Sequence, residues 1–515
     1  MNYDEVVNYL VNKKSFHLPD YLRRVFELFD FEIDPSKVII IAGTNGKGTT
    51  CAVLQTLLHE AGKNVGFFSS PHLEKINERI KYNCVDVSDE EFCDLFFKVH
   101  EKVHKKAHEV VQDYDLSFFE YLTFMAVYHF FVSHKNDVDF AVFEVGLGGT
   151  FDSTNIIPHN TSVITALGLD HTRILGNSLL DIATNKFGII SENNTVFHLK
   201  FPMVQAESNS TSQLPSATDT TGIEGLVNTY IKEKSARFIE AYDCSMRVSG
   251  KDPLFFISTP FGEFKLPLPG RRAMENTALA ITVFQHLVEN AERYMNAVEK
   301  TYWPGRMEKV CAARASMASP PVDGDAKCSC HVETISAIGN ACAACTVQQV
   351  SNSSASSTRT IYLSGDHNVQ GIDSLLALLP YYTSVALDQF SLAESALASQ
   401  IHLAYHTTDS EAVNARLART TIRLVVGICK GKDHDLMLSK LMDFPGAKLY
   451  LTETPVKTLK IHEYSRRFLD AADYANADPK KTLETAIADA AEDDLIVVTG
   501  SLYLVGLIRS LCCYR

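Results

Sequence analysis

The eight residues Gly43-Thr-Asn-Gly-Lys-Gly-Thr-Thr50 constrain this chain more than any others. They follow Val38 to Ala42, a continuous apolar run of the kind that makes a strand buried on both faces. They lead into Thr49 to Ala61, where Ala52, Val53, Leu57 and Ala61 recur at helical spacing. A strand that turns through glycines into a helix presents successive backbone N–H groups at the positive end of that helix, a cradle for a polyphosphate. Lys47 offers a cation to the phosphates, and the hydroxyl of Thr49 or Thr50 a ligand to Mg²⁺. The string departs from the standard P-loop because Gly48 separates the lysine from the hydroxyl residues. The plain alternative is a glycine-rich turn; the strand–loop–helix context favours nucleotide binding.

The rest of the chain continues the alternation. Val65 to Phe68, Phe140 to Val145 and Val163 to Leu167 read as further buried strands, and Phe92 to His108 and Phe118 to His134 as amphipathic helices. Strands alternating with helices imply a parallel, doubly wound sheet. The second half repeats the style. Thr360 to Leu363, Ile422 to Gly427, Lys448 to Leu451 and Leu495 to Thr499 read as strands. Gly371 to Leu379, Asp435 to Met442, Thr482 to Ala491 and Ser501 to Ser510 read as helices. A boundary is expected between Ala291 and Tyr302, after a helix over Glu275 to Glu289, which gives domains of 1–295 and 296–515. At about 150 residues per domain, 515 residues allow two to four.

Composition excludes several classes. Lys plus Arg count 48 and Asp plus Glu 62, a net charge of −14 that repels nucleic-acid backbones. No nucleic acid is therefore expected as a partner. Apolar residues at 46% and charged ones at 21% are globular proportions, not those of a disordered chain. The longest apolar tract, Leu495 to Leu511, is interrupted at Thr499, Gly500, Ser501, Gly506, Arg509 and Ser510, so no membrane span is expected. The first twenty residues carry Asp4, Glu5 and Asp20, hold no Arg and lack an apolar core, so no secretory or transit leader is expected. The 12 cysteines are too sparse for a disulfide scaffold, which points to a reducing, cytoplasmic setting.

Three more segments fall at predicted strand ends, where doubly wound sheets bind ligands. They are Ser69-Ser-Pro-His-Leu73, Glu144-Val-Gly-Leu-Gly-Gly149 and Asp170-His171. An unpaired carboxylate at the tip of an apolar strand would be costly, so a cation suits Glu144. Each segment alone has a structural reading as a turn or a cap. Together, beside a phosphate loop, they point to Mg²⁺.

These motifs, with Trp303-Pro-Gly-Arg306, Lys432-Asp433 and Gly500-Ser-Leu-Tyr503, stand in the order found in folylpolyglutamate synthases. The chain resembles that family, in its monofunctional or its bifunctional dihydrofolate synthase form, within the Mur ligase superfamily. The resemblance runs from Tyr3 to Arg509 apart from one insertion. It implies a Mur-ligase-like α/β fold: an N-terminal P-loop ATPase domain with a parallel sheet, and a smaller, Rossmann-like C-terminal domain. It implies a monomeric ligase that uses ATP and Mg²⁺ to turn a folate carboxylate into an acyl phosphate, which the amine of L-glutamate then attacks. Dihydropteroate is a second acid substrate if the enzyme is bifunctional.

The family pattern assigns residues. Asn45, Gly46, Lys47, Gly48 and Thr49 belong to the ATP loop, and Ser70, Glu144 and His171 match the magnesium ligands. Lys186, a catalytic candidate with Lys47 and His367, matches the lysine that the family carbamylates. Asn276, Arg306 and the stretch from Ser364 through Asp366 to His367 match contacts to ATP, and His367 and Ser501 contacts to glutamate. Ser117, Phe118, Phe119 and Glu120, with Phe151, Asp152 and Ser153, match segments that line the pteroate pocket. Core packing and helix capping are the competing readings for the aromatic residues and for Ser501.

The chain also departs from the pattern. Ser364-Gly-Asp366-His-Asn368 stands where the family has Asp-Gly-Ala-His-Asn, so the usual ATP-contacting Asp is Ser364 and a new Asp lies two residues on. Asn185 stands where a Glu commonly precedes the lysine. Residues 311–359, rich in Ala, Ser, Cys and Thr, read as a low-complexity insertion. Within it Cys328-x-Cys330 and Cys342-x-x-Cys345 offer four thiolates to zinc, against the simpler reading of unpaired thiols. A catalytically impaired nucleotide-binding relative, suggested by Ser364, and a P-loop kinase or GTPase remain as rivals.

Overall fold

The computed structural model describes residues 1–13, 17–107, 116–201, 222–250, 253–313, 358–383 and 421–512. Its organising element is strand β1, Val38–Ala42, in which every residue is buried. The run Val-Ile-Ile-Ile-Ala suits a strand with neighbours on both sides and helices on both faces. β1 pairs in parallel with β5 (Phe140–Glu144), Ile41 opposite Glu144, and with β6 (Thr161–Ile164), Ile41 opposite Val163. Around them lie β2 (Val65–Phe68), β3 (Ile80–Tyr82), β4 (Val85–Asp86), β7 (Thr195–His198) and β8 (Arg237–Glu240), in the order β4-β3-β2-β5-β1-β6-β7-β8. Only β3 and β4 run antiparallel to their neighbours, as a hairpin at one edge. Parallel pairing brings the carboxyl ends of β1, β2, β5 and β6 to one edge of the sheet. The core beneath includes Phe68, Phe96, Tyr121, Phe124, Phe130 and Phe143, each fully buried. Each contributes roughly 2–3 kcal/mol of apolar burial.

These strands belong to the first of two compact units, formed by Met1–Met246, Phe256–Pro267 and Arg271–Trp303. Residues 245–266 hold a three-stranded sheet of β9 (Ser245–Ser249), β10 (Leu254–Thr259) and β11 (Gly262–Leu266). The second unit, formed by Arg247–Phe255, Leu268–Gly270 and Pro304–Arg515, is built on β12 (Arg306–Ala313), β13 (Thr358–Ser364), β14 (Ile422–Val426), β15 (Ala447–Thr452), β16 (Tyr474–Asn476) and β17 (Leu495–Thr499). Its sheet order is β12-β13-β17-β14-β15-β16, parallel except for β12. Because β12 runs the other way, its first residue, Arg306, lies opposite the last residue of β13, Ser364.

Several boundaries differ from the sequence reading for local reasons. β6 ends at Ile164 rather than Leu167, because the next residues turn to the glycine loop. There Thr165 Oγ1 donates to Asn45 O at 2.8 Å, and Thr44 N–H to Ala166 O at 2.8 Å. The helix read at Thr482 to Ala491 spans Pro479–Ala488, started by Asp478 as N-cap with Pro at its first position. The helix read at Glu275 to Glu289 begins earlier, at Arg271, and ends at Leu287. The insertion read over 311–359 is strand at both ends, with Cys311 opposite Thr360 and Ala313 opposite Thr358. Its centre, with the four candidate zinc thiolates, lies outside the described residues.

Candidate active site

In the first unit the glycine loop joins β1 to the helix Lys47–Glu60. Gly46, at its N-cap, has φ +94°, and a Cβ there would lie 2.2 Å from Asn276 Oδ1. Only glycine meets both conditions without strain. Asn276 donates its Nδ2 to Arg272 O at 2.7 Å, while its buried Oδ1 has no hydrogen-bond partner. An orphaned acceptor beside a phosphate-type loop marks where a donor belongs. The buried hydroxyl of Thr50 is also without a partner. The only tryptophan, Trp303, packs its indole against the first turn, such that a Cβ on Gly48 would meet its ring at 2.8 Å.

Two amines converge on one carbonyl. Lys47 Nζ donates to Gly43 O at 3.1 Å and Lys186 Nζ to the same oxygen at 2.8 Å. Lys186 sits on the helix Leu179–Phe187, started by a Ser178–Asp181 capping box. The glycines after Glu144 let this helix come close: a Cβ on Gly149 would lie 2.7 Å from Asn185 O and 2.8 Å from Lys186 O. Burial and the neighbouring Lys47 push the Lys186 ammonium down to about 7, against the opposing charges of Asp170 and Asp152.

The predicted metal residues stand at the same sheet edge. Glu144, buried at the end of β5, accepts the Ser70 N–H at 3.0 Å. The buried thiol of Cys51 is pushed up by burial and by the charge of Glu144, and lowered by Lys47. His171 opens a helical turn at φ +52°, half-exposed, with its N–H on Asp170 Oδ1 at 2.8 Å. Among the described residues, no three His, Cys, Asp or Glu side chains are grouped to hold a metal ion. Of the three predicted metal residues, Ser70 and Glu144 meet through the Ser70 N–H, while His171 stands in the turn after β6 beside Asp170.

Beside them lie the residues matched to pteroate binding. Phe119 and Asp152 meet at Gly146, where a Cβ would lie 2.6 Å from the ring and 3.2 Å from Asp152 Oδ2. Phe119 also packs on Phe68 at 5.5 Å between ring centroids, and Phe118 takes the Arg79 guanidinium over its ring at 5.2 Å. Phe151 is 49% exposed. Ser117 and Glu120 cap the helix Phe118–Tyr128, and Glu120 also accepts the His17 backbone N–H at 3.1 Å and meets His17 Nδ1 at 2.8 Å. Asp152, raised by burial, accepts from Leu147 N, Thr154 N and Thr154 Oγ1. Ser153 Oγ lies 2.7 Å from Thr123 Oγ1. Much of this polar set is spent on holding the loop after β5. Tyr121 and Phe124 are core residues.

In the second unit, the carboxyl edge gathers the remaining predicted residues. Ser364 Oγ donates to Asp366 Oδ2 at 2.6 Å, so the two departures from the family pattern form one pair. Asp366 O accepts the Gly500 N–H at 2.9 Å, which ties the turn after β13 to the turn after β17. His367 Nδ1 lies 2.8 Å from Gly365 O, and Asn368 caps the helix Val369–Leu378. Ser501 Oγ accepts the Tyr503 N–H at 3.2 Å, as the capping reading expected, and lies 3.2 Å from Cys429 Sγ. The sequence reading missed Cys429 because nothing in the spacing links it to Ser501.

Fold and site define the class: an α/β protein of two units whose first carries a P-loop at the carboxyl edge of a mostly parallel sheet. No family model matches the chain. It is 26% identical to the dihydrofolate synthase/folylpolyglutamate synthase of Bacillus subtilis, over 98% of both chains. It is 40% identical to that of Haemophilus influenzae, over 34% of this chain and 37% of the relative. E. coli FolC in complex with DHPP and ADP superposes with a TM-score of 0.65 at 19% identity, over 99% of this chain and 97% of that one. The folylpolyglutamate synthase/dihydrofolate synthase of Yersinia pestis with AMPPNP and Mn gives 0.65 at 20%, over 99% and 98%. Over nearly its whole length the chain is similar to dihydrofolate synthase/folylpolyglutamate synthases, and its fold is that of the solved folylpolyglutamate synthases.

Proposed function

We propose that this chain is an ATP-dependent ligase that adds L-glutamate to a folate through an acyl phosphate. The observation that carries the reading is the convergence of Lys47 and Lys186 on Gly43 O, beside the buried carboxylate of Glu144. That cluster suits a triphosphate whose charge rises as the γ-phosphoryl moves. The loop N–H groups and Lys47 bind the phosphates, and Asn276 Oδ1 faces the loop as an acceptor for a nucleotide donor. Arg306, planar and permanently charged, is a further residue of the proposed nucleotide contacts. His367 and Ser501 orient glutamate, and Phe119, Phe151 and Asp152 border the pterin side.

A divalent cation fits the donor set. Ser70, Glu144 and His171 supply a hydroxyl, a carboxylate and an imidazole, which leaves positions for phosphate oxygens and water, the usual arrangement for Mg²⁺. When bound, it neutralises phosphate charge in the transition state. Lys186, held near neutrality at pH 7–8, has the free amine that a carbamate requires, and we place the carbamate there. Dihydropteroate is the second acid substrate proposed. We further propose a monomer acting in the cytoplasm; among the described residues, no helix is long and apolar enough to cross a membrane.

Phosphate release from ATP, measured with tetrahydrofolate or dihydropteroate in the presence and absence of glutamate, tests the reading. Release that needs both the acid and glutamate, with a product heavier by one glutamate, supports the ligase. No release supports the impaired relative that Ser364 suggests. Release indifferent to glutamate supports a hydrolase or kinase. Product from tetrahydrofolate alone makes the enzyme monofunctional.

A further inference from the structure

Arg306 is at the first position of β12, and the chain around it is irregular in a specific way. The register between β12 and β13 shifts between Arg306 and Glu308, a β-bulge. Met307, inside the bulge, has φ +51°, a left-handed backbone that non-glycine residues rarely adopt. Such a bulge turns its neighbours' side chains away from the regular alternation of a strand. Glu308 holds the bulge from below: its Oε2 accepts the Gly305 N–H at 2.9 Å, and both carboxylate oxygens lie 3.0 Å from Arg509 Nε. The Glu308 and Arg509 side chains are 14% and 12% exposed. Gly305 O in turn accepts the Gly365 N–H at 2.8 Å, from the residue after Ser364. Arg509 lies on the helix Leu502–Cys512, whose first residue follows Ser501. One carboxylate thus links the turn before Arg306 to the helix that begins at the glutamate-side residue.

We propose that Glu308, anchored by Arg509, is a positioning residue that fixes the conformation of Arg306 on which nucleotide affinity depends. This rests on the nucleotide-binding reading above and deepens it. A strained backbone persists where its surroundings over-determine it, and such strain gathers at working sites. Here the surroundings are the Gly305 N–H, the Arg509 ion pair and the pairing of Arg306 with Ser364. Without the carboxylate, the bulge relaxes toward a regular strand and Arg306 takes a different orientation.

The test is a thermodynamic cycle on the full chain, with Mg²⁺-AMPPNP affinity read by calorimetry. The double variant Glu308→Ala/Arg509→Met avoids leaving a buried unpaired charge. It is expected to weaken binding about tenfold, as is Arg306→Ala, a coupling typical of contacting groups. The combined triple variant is expected to be no weaker than Arg306→Ala within about twofold, because Glu308 acts through Arg306. Losses that multiply in the triple variant overturn the proposal. A second pair keeps it testable if the double variant does not fold. Met307→Gly takes the left-handed backbone freely and is expected to bind like the wild type, whereas Met307→Val resists it and is expected to bind several-fold more weakly. Equal affinities for these two overturn the proposal. A wild type that binds no nucleotide overturns both the proposal and the functional reading beneath it, whereas normal wild-type binding with multiplied losses overturns the proposal alone.

Discussion

Replacing Lys186 by methionine should stabilise the ligand-free protein near neutral pH while it destroys ligase activity. The reason lies in the burial of the amine. Its environment lowers the ammonium from 10.5 to about 7, with burial the largest cause and Lys47 the next. Above pH 10.5 the lysine is neutral in both folded and unfolded chains, and nothing is lost. Between 10.5 and about 7 the unfolded chain holds a proton that the folded chain does not, so stability falls as pH falls. Below about 7 the penalty is complete; at about 1.4 kcal/mol per pH unit it comes to about 5 kcal/mol. Methionine removes this penalty and keeps the apolar stem, at the cost of the hydrogen bond to Gly43 O, about 1 kcal/mol. The variant should therefore be about 4 kcal/mol more stable at pH 7 and slightly less stable near pH 10.5. Denaturant titrations of both proteins from pH 7 to 10, in nucleotide-free buffer stripped of carbon dioxide, read the difference directly. Curves that run parallel across this range would refute the account of a buried, near-neutral Lys186.

Further outcomes follow from the same geometry. Lys47→Ala should abolish ATP turnover, because the loop N–H groups alone cannot offset the γ-phosphate charge, while thermal melts stay within a few degrees of the wild type; turnover assays decide. Gly46→Ala should weaken nucleotide binding by at least tenfold, since its Cβ would lie 2.2 Å from Asn276 Oδ1 at a φ of +94°; calorimetry reads the loss. Replacing residues 316–356 with a short glycine-containing turn should leave a folded, active protein, because Ala313 and Thr358 are already paired across the hairpin. Loss of folding together with bound zinc would assign those cysteines to a metal site.

Much of the first unit was legible because its signals are local. Five apolar residues before a glycine loop name a buried strand, and the alternation of strands and helices implies parallel order. Parallel order alone then brings the ends of β1, β2, β5 and β6 together, which is why Lys47, Ser70, Glu144 and His171 could be grouped without coordinates. What the sequence hid depends on contacts between distant positions. The shared use of Gly43 O by Lys47 and Lys186 joins residues 139 apart in sequence. The polar work of Glu120 and Asp152 was also invisible: a carboxylate that caps its own helix reads like one aimed at a ligand. β12 and β13 extended into a stretch that composition marked as insertion, because pairing with a partner strand overrides weak local propensity. The bulge at Met307 carries no sequence signal, since methionine there breaks no pattern.

In the proposed reaction the carboxylate is activated as an acyl phosphate before glutamate attacks it. Folate labelled with ¹⁸O in the reacting carboxylate tests this directly, with released phosphate analysed by mass. The attacking carboxylate oxygen becomes the bridge to phosphorus, and it leaves with the phosphate when the amine displaces it. Transfer of one labelled oxygen into phosphate for each glutamate joined is the predicted result. Phosphate that carries no label while glutamylated product accumulates would contradict it.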